Sequence, residues 1–373
     1  MKYIFEFAEY SADQVLETAL GILGDTGTNS QFGEQTSYFK QLVLEARNLG
    51  IDAYVFTDFD ADGTTAWTLG ADNTWSKSRR GLPKVFYDRS FRKKAGAKNR
   101  SNTQTLSGLG CTPINSPDFR KVALDKHLMY SSLVPAQLGE LGLPYTERYS
   151  KKGLLPFLQE RPVCIIKPRF GSGGKGIIKV TKEGTGYELS YQGNSIQCSE
   201  ANLVNTISDV RKKMRTSNRL HIIQECISLP KYNDSVFDVR VIYQRGANGS
   251  ALRTGMAVRL AAPKNIAANL HQGGSRETLS RVLGALFNQD SNGPIAESIR
   301  AHSKFVFENL DSKFGPIGEI GIDFLIDQSG KVYLIEVNSI PGRSLFRIIP
   351  DIRQTSIKRP VEYAKYLLNK KSR

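Results

Sequence analysis

Near the C-terminal end, Asp323, Glu336 and Asn338 lie in two apolar runs, Gly321-Ile-Asp323-Phe-Leu-Ile326 and Val332-Tyr-Leu-Ile-Glu336-Val-Asn338. Asp327-Gln-Ser-Gly330 separates them, so the pair reads as a hairpin. A four-residue turn pairing Ile326 with Lys331 sets Asp323 opposite Leu334. The period of two then puts Asp323, Glu336 and Asn338 on one face. Two carboxylates and an amide, without His or Cys beside them, make a hard-cation site suited to Mg²⁺ held against nucleotide phosphates. The alternative is a solvated polar face on an edge hairpin.

A second stretch suits phosphate. Val163-Cys-Ile-Ile-Lys167-Pro-Arg-Phe170 reads as a strand, Gly171-Ser172-Gly173-Gly174-Lys175-Gly176 as a loop, and Ile177-Ile-Lys-Val180 as the next strand. Glycines let backbone N–H groups approach a polyphosphate, and Lys167 and Lys175 add charge. The spacing matches G-x-G-x-x-G, but a dinucleotide fingerprint must open a helix, and here β-branched residues continue a strand. No Lys-Ser/Thr pair follows as in a Walker A loop, and no H-R-D or D-F-G sequence follows as in a protein kinase. A turn whose glycines serve only geometry is the competing reading.

Other residues could line the same site. Gln224-Glu225-Cys226-Ile227 ends a short apolar strand and suits an adenine held between two lobes. Phe237, Val239, Val241 and Tyr243 alternate with Asp238 and Arg240, and Arg259 lies on the following strand. Arginines there pair with carboxylates across strands or meet an anion; two aimed at one point favour the anion. Asn269 precedes Gly273-Gly274, a pair able to offer backbone donors to a carboxylate or acyl phosphate. His271 has no adjacent acid and reads as structural.

With 373 residues the chain exceeds one ordinary core, and two or three subdomains are expected. Cys111, Cys164, Cys198 and Cys226 are far apart, which argues against a disulfide framework or zinc site and for a cytoplasmic protein. No apolar run is long enough to span a membrane, and the N-terminal residues lack a signal-peptide pattern. The net charge of +15 calls for an anionic partner. Its densest run, residues 77–100, reads as a solvated loop in preference to a nucleic-acid surface.

Glu34 to Leu49 has helical periodicity, and Ala19–Leu23, Ile51–Phe56 and Val85–Tyr87 read as strands, giving a parallel β-α-β layer. Ser116-Pro117 caps a helix running through Val122 to Leu133. Strands dominate from Pro162 to Arg259, interrupted by a helix over 201–214. Helices follow at 276–287 and 295–310.

Taken in order, Lys126, Lys167-Pro with the glycine loop, Gln224-Glu225, Asp238-x-Arg240, Arg259, Asn269-Leu-His-Gln-Gly-Gly274, Asp323 and Glu336-Val-Asn338-x-x-Pro-Gly342 resemble the ATP-grasp superfamily. The likeness is strongest to its YheC/YheD endospore-coat-associated branch, and the C-terminal two-thirds is also similar to ribosomal-protein glutamate ligases. The resemblance implies an α/β (mixed α+β) ATP-grasp fold. It divides the chain into a Rossmann-like pre-ATP-grasp domain over 1–115, a linker helix and lid over 116–226, and a C-terminal subdomain over 227–373. It also implies ATP, with one or two Mg²⁺ ions or Mn²⁺ in their place. Lys126, Lys167 and Gly171 to Gly176 would contact phosphates, and Gln224 to Ile227 the adenine. Asp323, Glu336 and Asn338 would hold the metal, while Arg240, Arg259, Asn269 and Gly274 would face an acyl phosphate. The implied activity is a carbon–nitrogen ligase joining a small-molecule or peptide carboxylate to an amine. Its alternatives are an ATP-grasp kinase and a spore-associated nucleotide-binding protein without turnover. An acidic carrier or peptide would suit the basic surface, and neither a membrane nor nucleic acid is expected as partner. Gln272 stands where the glutamate ligases have arginine, and Ser228 to Val236 lengthens the segment before Asp238. Arg343 adds a cation expected near the substrate.

Overall fold

The computed structural model describes residues 15–27, 31–91, 102–133, 139–171, 174–263, 265 and 273–370. Among them three sheets follow one another along the chain.

The first sheet has the order β4-β3-β2-β1-β5-β6. Its members are β1 (Val15–Leu23), β2 (Asp52–Asp60), β3 (Gly63–Leu69), β4 (Trp75–Arg80), β5 (Leu82–Asp88) and β6 (Thr112–Pro113). Strands β1, β2, β5 and β6 pair in parallel. Helix α1 (Thr36–Asn48) crosses from β1 to β2, burying Phe39, Leu42, Val43 and Ala46 at the spacing that marked it as amphipathic. The expected β-α-β layer is therefore present, but it is extended by the antiparallel strands β3 and β4. The start of the basic run is thus strand β4 and not a loop. Its Ser76, Lys77, Ser78 and Arg79 are exposed, a charged edge of the kind that discourages further strand pairing. Residues 92–100 of that run lie outside the described residues.

A helical connection follows: α2 (Asn102–Gly108), α3 (Pro117–Leu124) and α4 (Lys126–Ser132). Ser116 caps α3 by accepting from Phe119 N at 3.0 Å, with Pro117 in its first turn. The single helix expected from Ser116 to Leu133 is in fact broken at Asp125, which is extended (φ −115°, ψ 98°). Its carboxylate accepts from Leu128 N at 3.2 Å and takes both prongs of Arg169 at 2.6 Å. A tertiary ion pair thus outweighs helical continuity and makes Lys126 the first residue of a new helix.

The second sheet, β11-β10-β9-β8-β12-β7, is antiparallel throughout. It comprises β7 (Thr146–Arg148), β8 (Val163–Pro168), β9 (Ile178–Glu183), β10 (Gly186–Tyr191), β11 (Asn194–Ser199) and β12 (His221–Glu225). Helices α5 (Leu154–Glu160) and α6 (Leu203–Lys213) supply Leu154, Phe157, Leu203, Ile207 and Val210 to its core.

The third sheet, β15-β14-β13-β16-β17, holds the largest core. Its strands are β13 (Phe237–Arg245), β14 (Ala251–Leu260), β15 (Ser275–Glu277), β16 (Glu319–Ile326) and β17 (Val332–Asn338). Helices α7 (Leu279–Phe287) and α8 (Pro294–Phe314) cover one face, and α9 (Pro350–Asn369) packs back on α1 and β5. The segment read as helix from 276 begins as β15, whose Arg276 pairs with Arg259 in the ladder. Phe237, Val239, Val241, Ile320, Ile322, Phe324, Val332, Leu334 and Val337 point into the core, as their alternation requires. The opposite face carries Asp238, Arg240, Arg259 and Asp323, beside a small apolar cluster in which Ile242 and Ala257 pack on Leu345 and Phe346.

Candidate nucleotide and metal site

The β16–β17 hairpin closes differently from the expected register. Asp327 accepts from Ser329 N and Lys331 N at 2.8 and 2.9 Å, and its own N–H donates to Lys331 O at 3.0 Å. Ile326 therefore pairs with Val332 and not with Lys331. That register runs on to Phe324 opposite Leu334, and a bulge at Ile335 then shifts the ladder by one so that Asp323 opposes Glu336. Continued without the bulge, that register would set Ile335 opposite Asp323 and turn Glu336 toward the core. Leu334 lies in the core beside Phe324, both fully buried, and the bulge brings Glu336 and Asn338 onto the face of Asp323.

Two arginines occupy Asp323. Arg240, paired with it on β13, donates Nε to Oδ1 at 2.6 Å and Nη2 to Oδ2 at 2.5 Å. Arg259 on β14 donates Nη2 to Oδ2 at 2.8 Å and grips Asp238 with two bonds of 2.7 Å. Asn338 Nδ2 reaches the same Oδ2 at 3.2 Å. Both arginines thus point at one place, and in this structure it is occupied by carboxylates. Burial disfavours the Asp323 charge, but Arg240 and Arg259 outweigh it and hold the carboxyl down at about 2. Asp238 is pushed up to about 6, chiefly by burial, with Arg259 opposing and Asp323 adding to the rise.

The lysines come from the other sheet and from the connection. Lys126, on the first turn of α4, donates Nζ to Gly171 O at 2.5 Å and lies 3.3 Å from Glu336 Oε1. It therefore touches both the glycine loop and the carboxylate hairpin. Lys167 on β8 is buried, donates to Gln224 Oε1 at 2.7 Å and sits 5.9 Å from the ring centre of Tyr130. Burial, then the neighbouring Lys126, push its ammonium down to about 7, against the pull of Glu336. Tyr130 on α4 donates to Ile335 O at 2.7 Å, which holds the helix against the bulge.

The glycine loop joins β8 to the antiparallel β9, so it connects two strands and opens no helix. Gly171, Gly174 and Gly176 have φ of +120°, +66° and +81°, which a side chain would strain. A Cβ at Gly176 would also come within 2.9 Å of Pro168 and Thr216. Ser172 and Gly173 lie outside the described residues, and Lys175 is exposed. Gln224 is buried between Lys167 and Thr146, donating to Thr146 Oγ1 at 2.7 Å, so its side chain orients the lysine. Glu225 accepts from Tyr145 N at 3.1 Å, and Cys226 and Ile227 are half-buried where the chain leaves β12. Gly274 immediately precedes β15, whose Ser275 pairs with Leu260 and Arg276 with Arg259. Asn269, with His271 and Gln272, lies outside the described residues.

Arg343 does not face this cleft. It is buried against Glu319, donating to Oε1 at 3.1 Å and making a second, shorter contact to Oε2. Its partner Glu319, and the part played by Tyr87 and Arg89, were missed in the sequence. All four cysteines are free. Among the described residues no helix is long and apolar enough to cross a membrane, and no cluster of three His, Cys, Asp or Glu could hold a metal. The metal reading therefore needs the amide of Asn338. The donor set does fit Mg²⁺: Asp323 is ionised, its Oδ1 accepts a single bond, and Glu336 and Asn338 are only half-buried.

A profile of the YheC/D like ATP-grasp domain matches residues 115–367. The chain belongs to the YheC/D-like ATP-grasp family. It is 23% identical to the endospore coat-associated protein YheC of Bacillus subtilis (strain 168), over 91% of this chain and 94% of YheC. It is 27% identical to YheD of the same organism, over 91% of this chain and 76% of YheD. Among solved structures, D-alanyl-alanine synthetase A from Vibrio cholerae superposes with a TM-score of 0.60 at 11% identity, covering 95% of this chain and 98% of that one. That likeness concerns the fold.

Proposed function

We propose that this protein is an ATP-dependent ligase that joins a carboxylate to an amine. The observation that carries the proposal is Lys126, which spans from Gly171 O to Glu336 and so ties the glycine loop to the carboxylate hairpin. A triphosphate entering between them meets two lysines on one side and oxygen donors on the other. Asp323, Glu336 and Asn338 would hold Mg²⁺, which when bound offsets phosphate charge. Lys126 and Lys167 then contact the phosphates, and the glycine loop closes over them with its backbone N–H groups.

The chemistry that suits such a site begins when a substrate carboxylate oxygen attacks the γ-phosphorus. The bond to the β–γ bridging oxygen breaks and ADP leaves. An amine then attacks the acyl carbon, phosphate departs with the bonding electrons, and the amine loses a proton as the amide forms. Arg259, held in place by Asp238, and the backbone at Gly274 would meet negative charge on the acyl phosphate. No protein nucleophile is required. The structural neighbour named D-alanyl-alanine synthetase is an enzyme of this general type, which supports the reading without naming the substrates here.

The test is ADP release in the presence of Mg-ATP and pooled carboxylates and amines, with products identified by mass spectrometry. Lys167→Ala and Glu336→Ala should each lower the rate by about 10²–10³-fold, the usual cost of removing one aligned electrostatic group. Full turnover in either variant contradicts the site. A phosphorylated acid without amide would make the protein a kinase. The names of YheC and YheD favour one second reading, a coat-associated nucleotide-binding protein; thermal stabilisation by Mg-ATP with no ADP formed would select it.

A further inference from the structure

Glu319, at the first position of β16, has no solvent exposure, and five donors surround its carboxylate. Tyr87 Oη and Gln244 Nε2 donate at 2.6 and 2.7 Å, Arg343 donates through both terminal nitrogens, and Arg89 Nη1 stands farthest at 3.3 Å. Two buried arginines therefore share one carboxylate. Arg343 alone neutralises it with a two-pronged contact, so the Arg89 charge is surplus to Glu319 and its desolvation needs another explanation. The ring of Tyr38 lies beside both guanidinium groups, at 5.2 Å from Arg89 and 4.8 Å from Arg343.

The other bonds of Arg89 show where it acts. Its Nη2 donates to Pro341 O at 3.2 Å, an oxygen that also receives Arg343 Nη1 at 2.6 Å. Its own backbone oxygen accepts from Gln35 Nε2 at 3.1 Å, which fixes the arginine on the N-terminal layer. Two residues before Pro341, Ser339 O accepts from Asn115 Nδ2 at 3.1 Å, and Asn115 also bonds Glu319 N and O at 2.9 Å each. The loop leaving Asn338 is thus held at two successive alternate carbonyls by side chains from outside the C-terminal sheet.

We propose that Arg89 is a positioning residue for the metal site. It holds Pro341 O, and through the short loop from Ser339 it holds the side chain of Asn338, so the N-terminal layer sets the geometry at which Asn338 meets the metal. The inference rests on the nucleotide reading of the site given above. It makes the first sheet part of the catalytic apparatus through a mechanical link.

The experiment measures the Mg²⁺ concentration needed for half-maximal ADP binding, by calorimetry on the full chain. Arg89→Gln leaves Glu319 matched by Arg343 and should fold; its Mg²⁺ midpoint should rise about tenfold, at the low end of what loss of an outer partner costs a metal ligand. ADP affinity at saturating Mg²⁺ should match the unmodified protein. Arg89→Lys keeps the charge without the fork and should shift the midpoint in the same direction by less. Phe39→Leu loosens the core of the same layer without touching the loop and should leave the midpoint unchanged. A midpoint within twofold of the unmodified protein in both Arg89 variants overturns the inference, as does an equal shift in Phe39→Leu. If the unmodified protein binds ADP with no Mg²⁺ dependence, the site reading falls and the inference with it.

Discussion

The polar face of the C-terminal sheet and the edge of the N-terminal sheet use the same residue types in the same way, with opposite surroundings. On the C-terminal sheet, Arg240–Asp323 and Arg259–Asp238 pair across strands with side chains between 4% and 14% exposed. At the N-terminal edge, Arg79–Asp60 pairs at 2.5 Å with both side chains more than half exposed, and Arg80–Asp52 lies close by. Water screens the second set, and such pairs contribute roughly 0–1 kcal/mol. Desolvation makes the first set interdependent, because removing one member leaves another charge buried and unmatched. Arginine and aspartate in register thus mark a site only where the strand face is covered.

Arg259→Ala breaks that contrast most sharply. It leaves Asp238 without its partner and should destabilise the fold by about 3–5 kcal/mol, read by denaturant unfolding at pH 7.5. The loss should shrink as pH falls toward about 6, because Asp238 without the Arg259 charge that opposes its rise takes up a proton at higher pH than in the unmodified protein. The next effect concerns Lys167, whose ammonium burial lowers to about 7. Bound phosphate favours the charged form, so binding above pH 7 must take up a proton. ADP affinity at fixed saturating Mg²⁺ should therefore fall with rising pH, by up to about tenfold per unit between pH 7 and 9. Lys167→Arg, charged throughout, should flatten that profile. The smallest effect belongs to the edge: Asp60→Ala should change unfolding free energy by less than about 1 kcal/mol, a change that 0.5 M salt removes.

Much of this arrangement was legible in the sequence because it depends on short-range pattern. The alternation of Phe237, Val239, Val241 and Tyr243 marks the core face of β13. The β-branched residues after Gly176 identify a strand-to-strand loop, and the paired runs around Asp327 identify a hairpin. Tertiary pairing decided the remainder. The bulge at Ile335 and the five-residue closure depend on side-chain bonds of Asp327 and on the need to bury Leu334. Asp125 breaks a helix for the sake of Arg169, 44 residues away. Arg343 looked like a substrate cation, because nothing near it in sequence shows that Glu319 is waiting in the interior. Strand β4 was hidden by the charge of an exposed edge, where alternation carries little signal.

On the proposed reading, one nucleotide is held between Lys126 and Lys167 on one side and the oxygen donors of the C-terminal hairpin on the other. Crystals of the protein grown with Mg-ADP test it most directly. Phosphate oxygens should lie within hydrogen-bonding distance of Lys126 and Lys167, with a metal ion on Asp323, Glu336 and Asn338. A nucleotide bound elsewhere, with Lys126 still closed on Gly171 O and Glu336, would contradict it.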